Sequence, residues 1–559
     1  MAQQLYFSRD SKLYMEFNSK MWEIPILDGF SFSQSTNTSD ITLSEMQGAD
    51  GISRRGRRLF TDSLAPAEFS FSTYVRPFYT TSASDGGTEH HAVEEALWAV
   101  MAGADTYGTV STQGAVQTVT LDTDSATDRT QGTYIIDTDD ALVGGDHDGE
   151  GVTLQIEVNA AGTASAARVV SAGEGYTTGK TFVIPASMIG DGTGTITVTT
   201  GTIDAGSPTA FFRTNNVDTN SKFDEVVAMP TPASQTINFG QSNRAVLATC
   251  NLYFVMETST DSPMVYKLQN VQLNEASIDF EVDGIATINW SGFAKNIIDM
   301  QSAGSVYTVG SAAFAADNDH RAAVDAANAD SVNQTNPSVG DVVLNTGDDM
   351  KFYLVLTAGN TGAAARAIGA GVDTTTNFIR NRLTQLIVST TDSAAFPSLD
   401  YYLTLIGGNI TISNNITYLV PEELGNVNIP IEGVTGGRTV TGNFNCYLTL
   451  DTDADPANNT HKGSSVELFN NMTTSGQGLD KVVNDFAVTF QIGGATDGDP
   501  RLYVNMPRVH IDVPVHSVED VISLETGFGA YTNDFDKADE LVLTYFGDTT
   551  TANQQLYDV

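Results

Sequence analysis

Among the groups able to do chemistry in this 559-residue chain, acidic runs come first. Asp451-Thr-Asp453-Ala-Asp455 carries the alternating carboxylates with which a calcium-binding loop begins. Pro456 stands where that loop needs its glycine, and Lys462 stands where it needs a bidentate glutamate. Asp451, Asp453 and Asp455 therefore read as an acidic hairpin tip instead of a dedicated cation site. Asp137, Asp139, Asp140, Asp146 and Asp148 form a second cluster, read the same way as solvated surface. The seven histidines are scattered, and His90 and His91, as neighbours near a helix start, point to different sides; both are assigned a core or surface role. Cys250 and Cys446 are too few for a disulfide scaffold or a four-thiolate zinc module, and two buried free thiols are favoured over one long-range bridge. The chain has no Gly-x-Ser-x-Gly elbow, no phosphate-cradling glycine-rich lysine loop and no His-Glu-x-x-His helix. The expectation is a protein without catalytic residues, cofactor or metal.

One basic feature breaks the pattern. Arg54-Arg55-Gly56-Arg57-Arg58 places four of the chain's 27 basic residues together. Against them stand 68 Asp and Glu, for a net charge of −41. A surface this acidic repels phosphates and argues against stable wrapping of nucleic acid. It also suits a wall along which DNA passes without being held. Arg54, Arg55, Arg57 and Arg58 then read either as a solvated loop or as a docking element for an acidic surface of another copy. The opening residues, MAQQLYFSRDSKLYMEF, have no apolar h-region, and no apolar run approaches the roughly 18 residues of a membrane span. The expectation is synthesis in the cytosol as a soluble protein.

The elements that must position these residues are mainly strands. Phe69 to Val75 and Ala286 to Ser291 alternate apolar and polar side chains, the period of a half-buried strand. Gly, Asn and Asp clusters punctuate such runs as turns. Helical spacing is best at Glu89 to Ala102, with Val93, Ala96, Leu97, Val100 and Met101 on one face, Thr88 as N-cap and Gly103 as stop. Further helices are predicted at Ser464 to Met472 and His320 to Ala329, and a strand around Phe352 to Leu356.

An internal repeat organises the chain. Phe30-Ser-Phe32-Ser parallels Ile410-Thr-Ile412-Ser about 380 positions later, and Gly56-Arg-Arg58-Leu-Phe-Thr61 parallels Gly436-Gly-Arg438-Thr-Val-Thr441 at the same offset. Phe69 to Tyr74 resembles Phe444 to Leu448. Pro263-Met-Val-Tyr266 matches Pro500-Arg-Leu-Tyr503, and Gly292-Phe293 matches Gly527-Phe528, now about 237 apart. The smaller offset implies extra material within the first copy. Composition locates it: Val110 to Ile203 is rich in Thr, Gly, Asp and Ala, reading as a small all-β insertion. The expected organisation is a first domain split into residues 1–104 and 241–301, an insertion at 105–240, a connector at 302–372 and a second domain at 373–559.

Several of these phrases resemble the major tail tube proteins of tailed bacteriophages. They are Asn377-Phe-Ile-Arg-Asn-Arg382, Gly407 to Thr417, Gly436-Gly-Arg438 and Gly442 to Tyr447 in the second copy. In the first they are Tyr266 to Leu273, Ile278 to Ala286 and Trp290-Ser-Gly292. The resemblance spans most of 1–102, 240–300 and 373–547. It implies an all-β fold: two tandem β-sandwich domains, each with one flanking helix, whose sheets join with those of neighbours into a barrel. It also implies a structural role, with six such domains per ring and rings stacked into a tube through which the genome passes. Two copies per chain then give a homotrimer with pseudo-sixfold symmetry. The partners implied are the chain itself, the tape measure, the tail terminator and baseplate or tail-tip proteins, with phage DNA in transit and no membrane. The location implied is the virion tail, reached from the host cytoplasm during assembly. The loop from Ile41 to Phe60, with its arginines, falls where the family reaches toward the next ring. The insertion, about 100 residues or more, is expected to face outward because it would obstruct a channel. The alternative is a virion decoration or receptor-binding protein acting through the insertion. A glycan hydrolase ranks third, since acidic residues are too abundant for any pair to be singled out.

Overall fold

The computed structural model describes residues 6, 8, 11–17, 20–41, 58–80, 89–102, 114–116, 118–122, 126–138, 140–174, 176–205, 235–238, 247–256, 264–300, 306–309, 323–325, 340, 342–345, 351–357, 378–390, 400–420, 430–450, 464–474, 486–494, 500–518, 521–532 and 540–548. The chain divides into two compact units, Met1–Asp105 with Phe239–Val559, and Thr106–Asn238.

The larger unit begins with β1 (Ser11–Phe17), β2 (Lys20–Ile24) and β3 (Ser31–Ser33). A hairpin of β4 (Thr36–Ile41) and β5 (Arg58–Leu64) follows, then β6 (Ala67–Tyr74), a hairpin of β7 (Pro77–Thr80) and β8 (Glu89–Ala92), and helix α1 (Glu95–Ala102). The unit resumes with β9 (Cys250–Met256), β10 (Met264–Glu281), β11 (Thr287–Ala294) and β12 (Asn296–Asp299). A second series comprises β13 (Gln385–Thr390), β14 (Asp400–Leu403), β15 (Leu405–Ser413) and β16 (Thr439–Tyr447). It closes with helix α2 (Ser465–Thr474), β17 (Phe486–Gly493), β18 (Arg501–Ile511), β19 (Val515–Val518), β20 (Ile522–Ala530) and β21 (Val542–Phe546).

The two series pair their strands in the same order, always antiparallel. In the first, β2 pairs with β1, β1 with β9, β9 with β10 and β10 with β12. In the second, β14 pairs with β13, β13 with β17, β17 with β18 and β18 with β21. A second ladder runs β3–β6–β11–β10 in the first series, and β15–β16–β20 in the second, where both β18 and β19 pair with β20. The long strand β10 serves both ladders. Its register slips between Leu273 and Glu275, a bulge that bends the strand from one sheet into the other.

Direct pairing of β10 with β15, from Glu275↔Ser413 to Glu281↔Gly407, joins the two series. The product is one antiparallel sheet of eight strands in the order β3-β6-β11-β10-β15-β16-β20-β19. Alternation sorts its side chains. Phe69, Phe71, Ile288, Trp290, Ile278, Phe280, Ile410, Ile412, Val440, Phe444, Leu524 and Phe528 are all buried on one face. Each large side chain removed from water contributes roughly 1.5–3 kcal/mol. Three cross-strand pairs on this face set an aromatic ring opposite a glycine: Phe69 with Gly292, Phe280 with Gly408 and Phe528 with Gly442. At Gly442 an added Cβ would come within 2.6 Å of the Phe528 ring, so the sheet needs glycine there for the ring to lie flat.

Helix α1 is buried at all eight residues. Trp98 meets Trp290 edge-on at 4.7 Å and donates its indole N–H to the Tyr545 hydroxyl of β21 at 2.7 Å. Glu94, just before the helix, is also fully buried. It receives a hydrogen bond from Tyr545 and lies 3.4 Å from the Arg76 backbone N–H; loss of solvent outweighs these bonds and raises its carboxyl to about 7. Next to it Glu95 bonds His91 Nδ1 at 3.1 Å and accepts from the Ala92 N–H at 3.1 Å. His91 is thus a core histidine.

Two helix assignments change. Glu89–Ala92 belongs to a strand, because His90 and His91 pair with Tyr79 and Phe78 across the β7–β8 hairpin; the helix starts only at Glu95, and Thr88 lies outside the described residues. In the alanine-rich segment 320–329, Ala323–Asp325 is a strand, pairing parallel to Leu354–Thr357. Ladder hydrogen bonds and packing override the helical preference of alanine there. Strand Lys351–Thr357 stands where a strand was expected, and its Leu354 packs on Tyr14, Tyr253 and Val265. Helix α2 opens with a capping box: the Ser464 N–H bonds Glu467 at 2.9 Å, and the Glu467 N–H returns to Ser464 Oγ at 3.4 Å. Cys250 and Cys446 are buried free thiols.

The smaller unit holds a sheet ordered Val119–Leu121, Thr195–Thr200, Thr181–Pro185 and another ordered Gly132–Asp137, Glu150–Val158, Ala164–Glu174. Its own core includes Leu154, Ile156, Tyr176, Phe182, Ile184 and Val198. Asp148 accepts hydrogen bonds from the Thr177 N–H at 3.1 Å and Oγ at 2.6 Å, so this acid braces a loop.

Candidate functional surface

The opposite face of the eight-stranded sheet is the candidate functional surface. The same alternation that buries Phe, Ile and Trp turns Ser, Thr, Asn, Asp and Glu the other way. Glu68, Glu275, Asp279, Glu281 and Glu525 stand on it, and the parts of its strands that pair into this sheet, with β10 counted from Gln272 onward, contain no Lys or Arg. The charge on this face is therefore negative, carried by β6, β10 and β20.

Its polar groups are tied together across strands. Ser31 Oγ meets Ser70 Oγ at 2.9 Å. Ser72 Oγ donates to Asn289 Oδ1 at 2.6 Å, and the Asn289 amide donates to Asp279. Ser277 Oγ donates to Asp279 Oδ1 at 3.3 Å and accepts from Thr411 Oγ1 at 3.2 Å. This chain of bonds runs from β6 through β11 and β10 into β15, across the join between the two series. Partial desolvation pushes the Asp279 carboxyl upward, and the neighbouring Glu281 charge adds to the rise, against the hydrogen bonds that hold it ionised.

A shallow depression of about 850 Å³ lies over that join, lined by Asp279, Glu281, Asp283, Asn409, Asn443 and Asn445. At its rim Arg382 Nε donates to Asp283 Oδ1 at 2.8 Å; both side chains are well exposed. Among the described residues no group of three or more His, Cys, Asp and Glu is placed to hold a metal ion. What such a face can do is repel or let pass a polyanion; its crossed hydroxyls and amides are already engaged with one another.

The residues singled out in sequence fall elsewhere. Arg54, Arg55 and Arg57 lie outside the described residues, and Arg58 begins β5. Beside it Leu59 and Phe60 are exposed on the same hairpin. Asp451, Asp453 and Asp455 also lie outside the described residues. Asp279, Ser277, Asn289 and Thr411 were not distinguished by sequence reading. Their signal is alternation in Ala276-Ser-Ile-Asp-Phe280 and Ile410-Thr-Ile412, which marks a polar face but not the strand opposite it.

No helix among the described residues is long and apolar enough to cross a membrane. No protein-family model matches the chain. Among curated proteins it is similar to the tail tube protein pb6 of Escherichia phage T5, at 24% identity over 305 residues. That match covers 54% of this chain and 49% of the relative, so the chain spans about half the length of the curated relative it matches. Over that part the chain is similar to a structural protein of a phage tail, and its described residues fold mainly as β-strands.

Proposed function

We propose that the chain assembles with itself into rings that stack as the wall of a tail tube, and that the anionic face of the eight-stranded sheet lines the channel. The observation that carries this reading is the sheet itself: two like-ordered strand series fused edge to edge, apolar behind and acidic in front. Like pairing order in both series supports descent from a duplicated tube domain. If each series is one tube domain, three chains supply six, and about twenty-four strands close a barrel wide enough for an aqueous channel. The ring is then a homotrimer with pseudo-sixfold symmetry. Closure also removes the open edges at β3 and β19, which on a free chain invite aggregation.

DNA is the cargo in transit, and a sheet face whose paired strand segments carry no Lys or Arg gives it little to grip. The reading includes no covalent chemistry and no cofactor. Further partners are those at the tube's ends and interior: tape measure, terminator and baseplate or tail-tip proteins. The arginine-bearing loop between β4 and β5 is the proposed contact to the next ring.

Negative-stain electron microscopy of the concentrated full chain tests the reading. Hollow rings or tubes with three-fold symmetry are expected. Discrete particles without a channel, under conditions that also include an assembled tail tip as initiator, would overturn it.

A further inference from the structure

Four elements are covered in one series and open in the other. Helix α1 is buried at every residue, whereas in α2 Val466, Glu467, Phe469 and Met472 are only half-buried. The two helices share a pattern, Leu97-Trp98-x-x-Met101 against Leu468-Phe469-x-x-Met472. Strand β21 is buried at all five residues, while its counterpart β12 is half-exposed at all four. Strand β15 has partners on both sides, β16 and β10, but β3 pairs with β6. The last half of β10 pairs with β11 and β15, but β19 pairs with β20, leaving Val513 and Val515 about two-thirds exposed beside it.

In each case the covered member is covered by the other series. Strand β15 lies against β10, β21 lies against α1 through Tyr545 and Trp98, and the Asn414 amide after β15 donates to the Met101 carbonyl at 3.1 Å. The open members are those that would be covered if the same junction were made again, this time between chains. In α2 the ring of Phe469 stacks edge-on against His516 of β19 at 5.0 Å, so helix and open edge already form one composite face.

Resting on the tube reading, we infer that α2 and β19 of one chain form a socket that receives β12 and the β3 edge of a second copy. Phe469 takes the role of Trp98 and packs on the Ile297 and Asp299 face of the neighbour's β12, where Tyr545 stands in the intrachain junction. Gln34, which follows β3 as Asn414 follows β15, approaches the C-terminal turn of α2. The contact is heterologous, one face meeting a different face, so repetition around a rotation axis closes a ring. The junction between chains is less tightly made than the one within a chain. A phenyl ring replaces an indole and brings no N–H to donate.

Photo-cross-linking tests this on the full chain. Benzoylphenylalanine replaces Phe469, an aromatic substitution that keeps the helix packing, in a mixture of isotopically light and heavy chains. Mass spectrometry then locates the product, while electron microscopy of the same sample scores ring formation. Mixed light–heavy cross-links from position 469 to peptides spanning residues 31–34 or 296–299 are expected. Rings with cross-links to other segments only, or within one chain only, would overturn this contact and leave the ring reading standing. Absence of rings in the unsubstituted chain would remove both. A disulfide provides the second measurement. Carrying the Thr411↔Ser277 register of β15 and β10 across places Ser31 opposite Val515. The Ser31→Cys, Val515→Cys double variant is expected to give dimer and trimer bands on oxidation, and monomer alone from ring-forming protein would count against the register.

Discussion

Replacing Glu94 with glutamine isolates a buried acid that binds the two strand series together from behind. Burial raises its carboxyl from 4.5 to about 7. A carboxyl whose pKa is higher folded than unfolded contributes stability that is fully present below pH 4.5. That contribution is lost as pH rises through about 7. At about 1.4 kcal/mol per pKa unit, ionisation in place costs the folded chain about 3 kcal/mol by pH 8. Glu94→Gln keeps the shape and removes the titration. The variant forfeits about 1 kcal/mol of hydrogen bonding to the Arg76 N–H and Tyr545. The wild type is therefore expected to be the equal or better folder near pH 5, and the variant the more stable by about 2 kcal/mol at pH 8. Arg76 and Tyr545, the partners of Glu94, are the same in both proteins, so the difference between them isolates Glu94. Urea unfolding of the full chain at pH 5, 6, 7 and 8 measures it. A stability difference that stays constant across that range would show that Glu94 is ionised throughout or hydrated in the fold, and the argument would fail.

Gly442→Val drives a branched side chain into the Asn409 carbonyl and the Phe528 ring, and is expected to cost 3 kcal/mol or more; loss of soluble full-length protein or a fall in melting temperature reads it. Ser277→Lys with Thr411→Lys puts cations on the anionic face and is expected to make tubes retain duplex DNA at about 50 mM salt, an interaction that fades steeply on adding salt. Unchanged passage of DNA in a retention assay would separate that face from the channel. Changing Arg54, Arg55, Arg57 and Arg58 to glutamate is expected to leave single rings intact and abolish stacking, scored by tube length in micrographs.

Much of the sheet was legible because alternation is a local signal. Phe69, Phe71, Ile288 and Trp290 are buried as their spacing requires, and the Ser464–Glu467 capping box begins α2 where a helix was expected. The misses share a cause. Glu89 to Ala102 has helical spacing throughout, yet its first residues gain more from pairing with β7 than from another helical turn. Glu94 and Glu95, acids at the start of the helical spacing, are both sealed in the core. What seals them is Tyr545 for one and His91 for the other, and no local pattern announces a partner some 450 positions away. The pairing of β10 with β15 is equally silent in sequence, although it creates the candidate surface. The Gly-Phe match of the repeat is also one residue out of phase with burial. At that offset buried Trp290 meets exposed Glu525, while one step further it meets buried Thr526.

If the sheet face lines a channel as proposed, the lateral bonding of Ser72, Asn289, Asp279, Ser277 and Thr411 bears on friction. A sliding polyanion is slowed when each step along a wall breaks one set of contacts and forms another. Donor groups are what its phosphates would hold, and here hydroxyls and amides turn those donors sideways to their neighbours. What is left pointing outward is mainly acceptor oxygen. The energy profile along such a wall would be shallow, and a long molecule would cross it at a speed set by the fluid and the driving pressure.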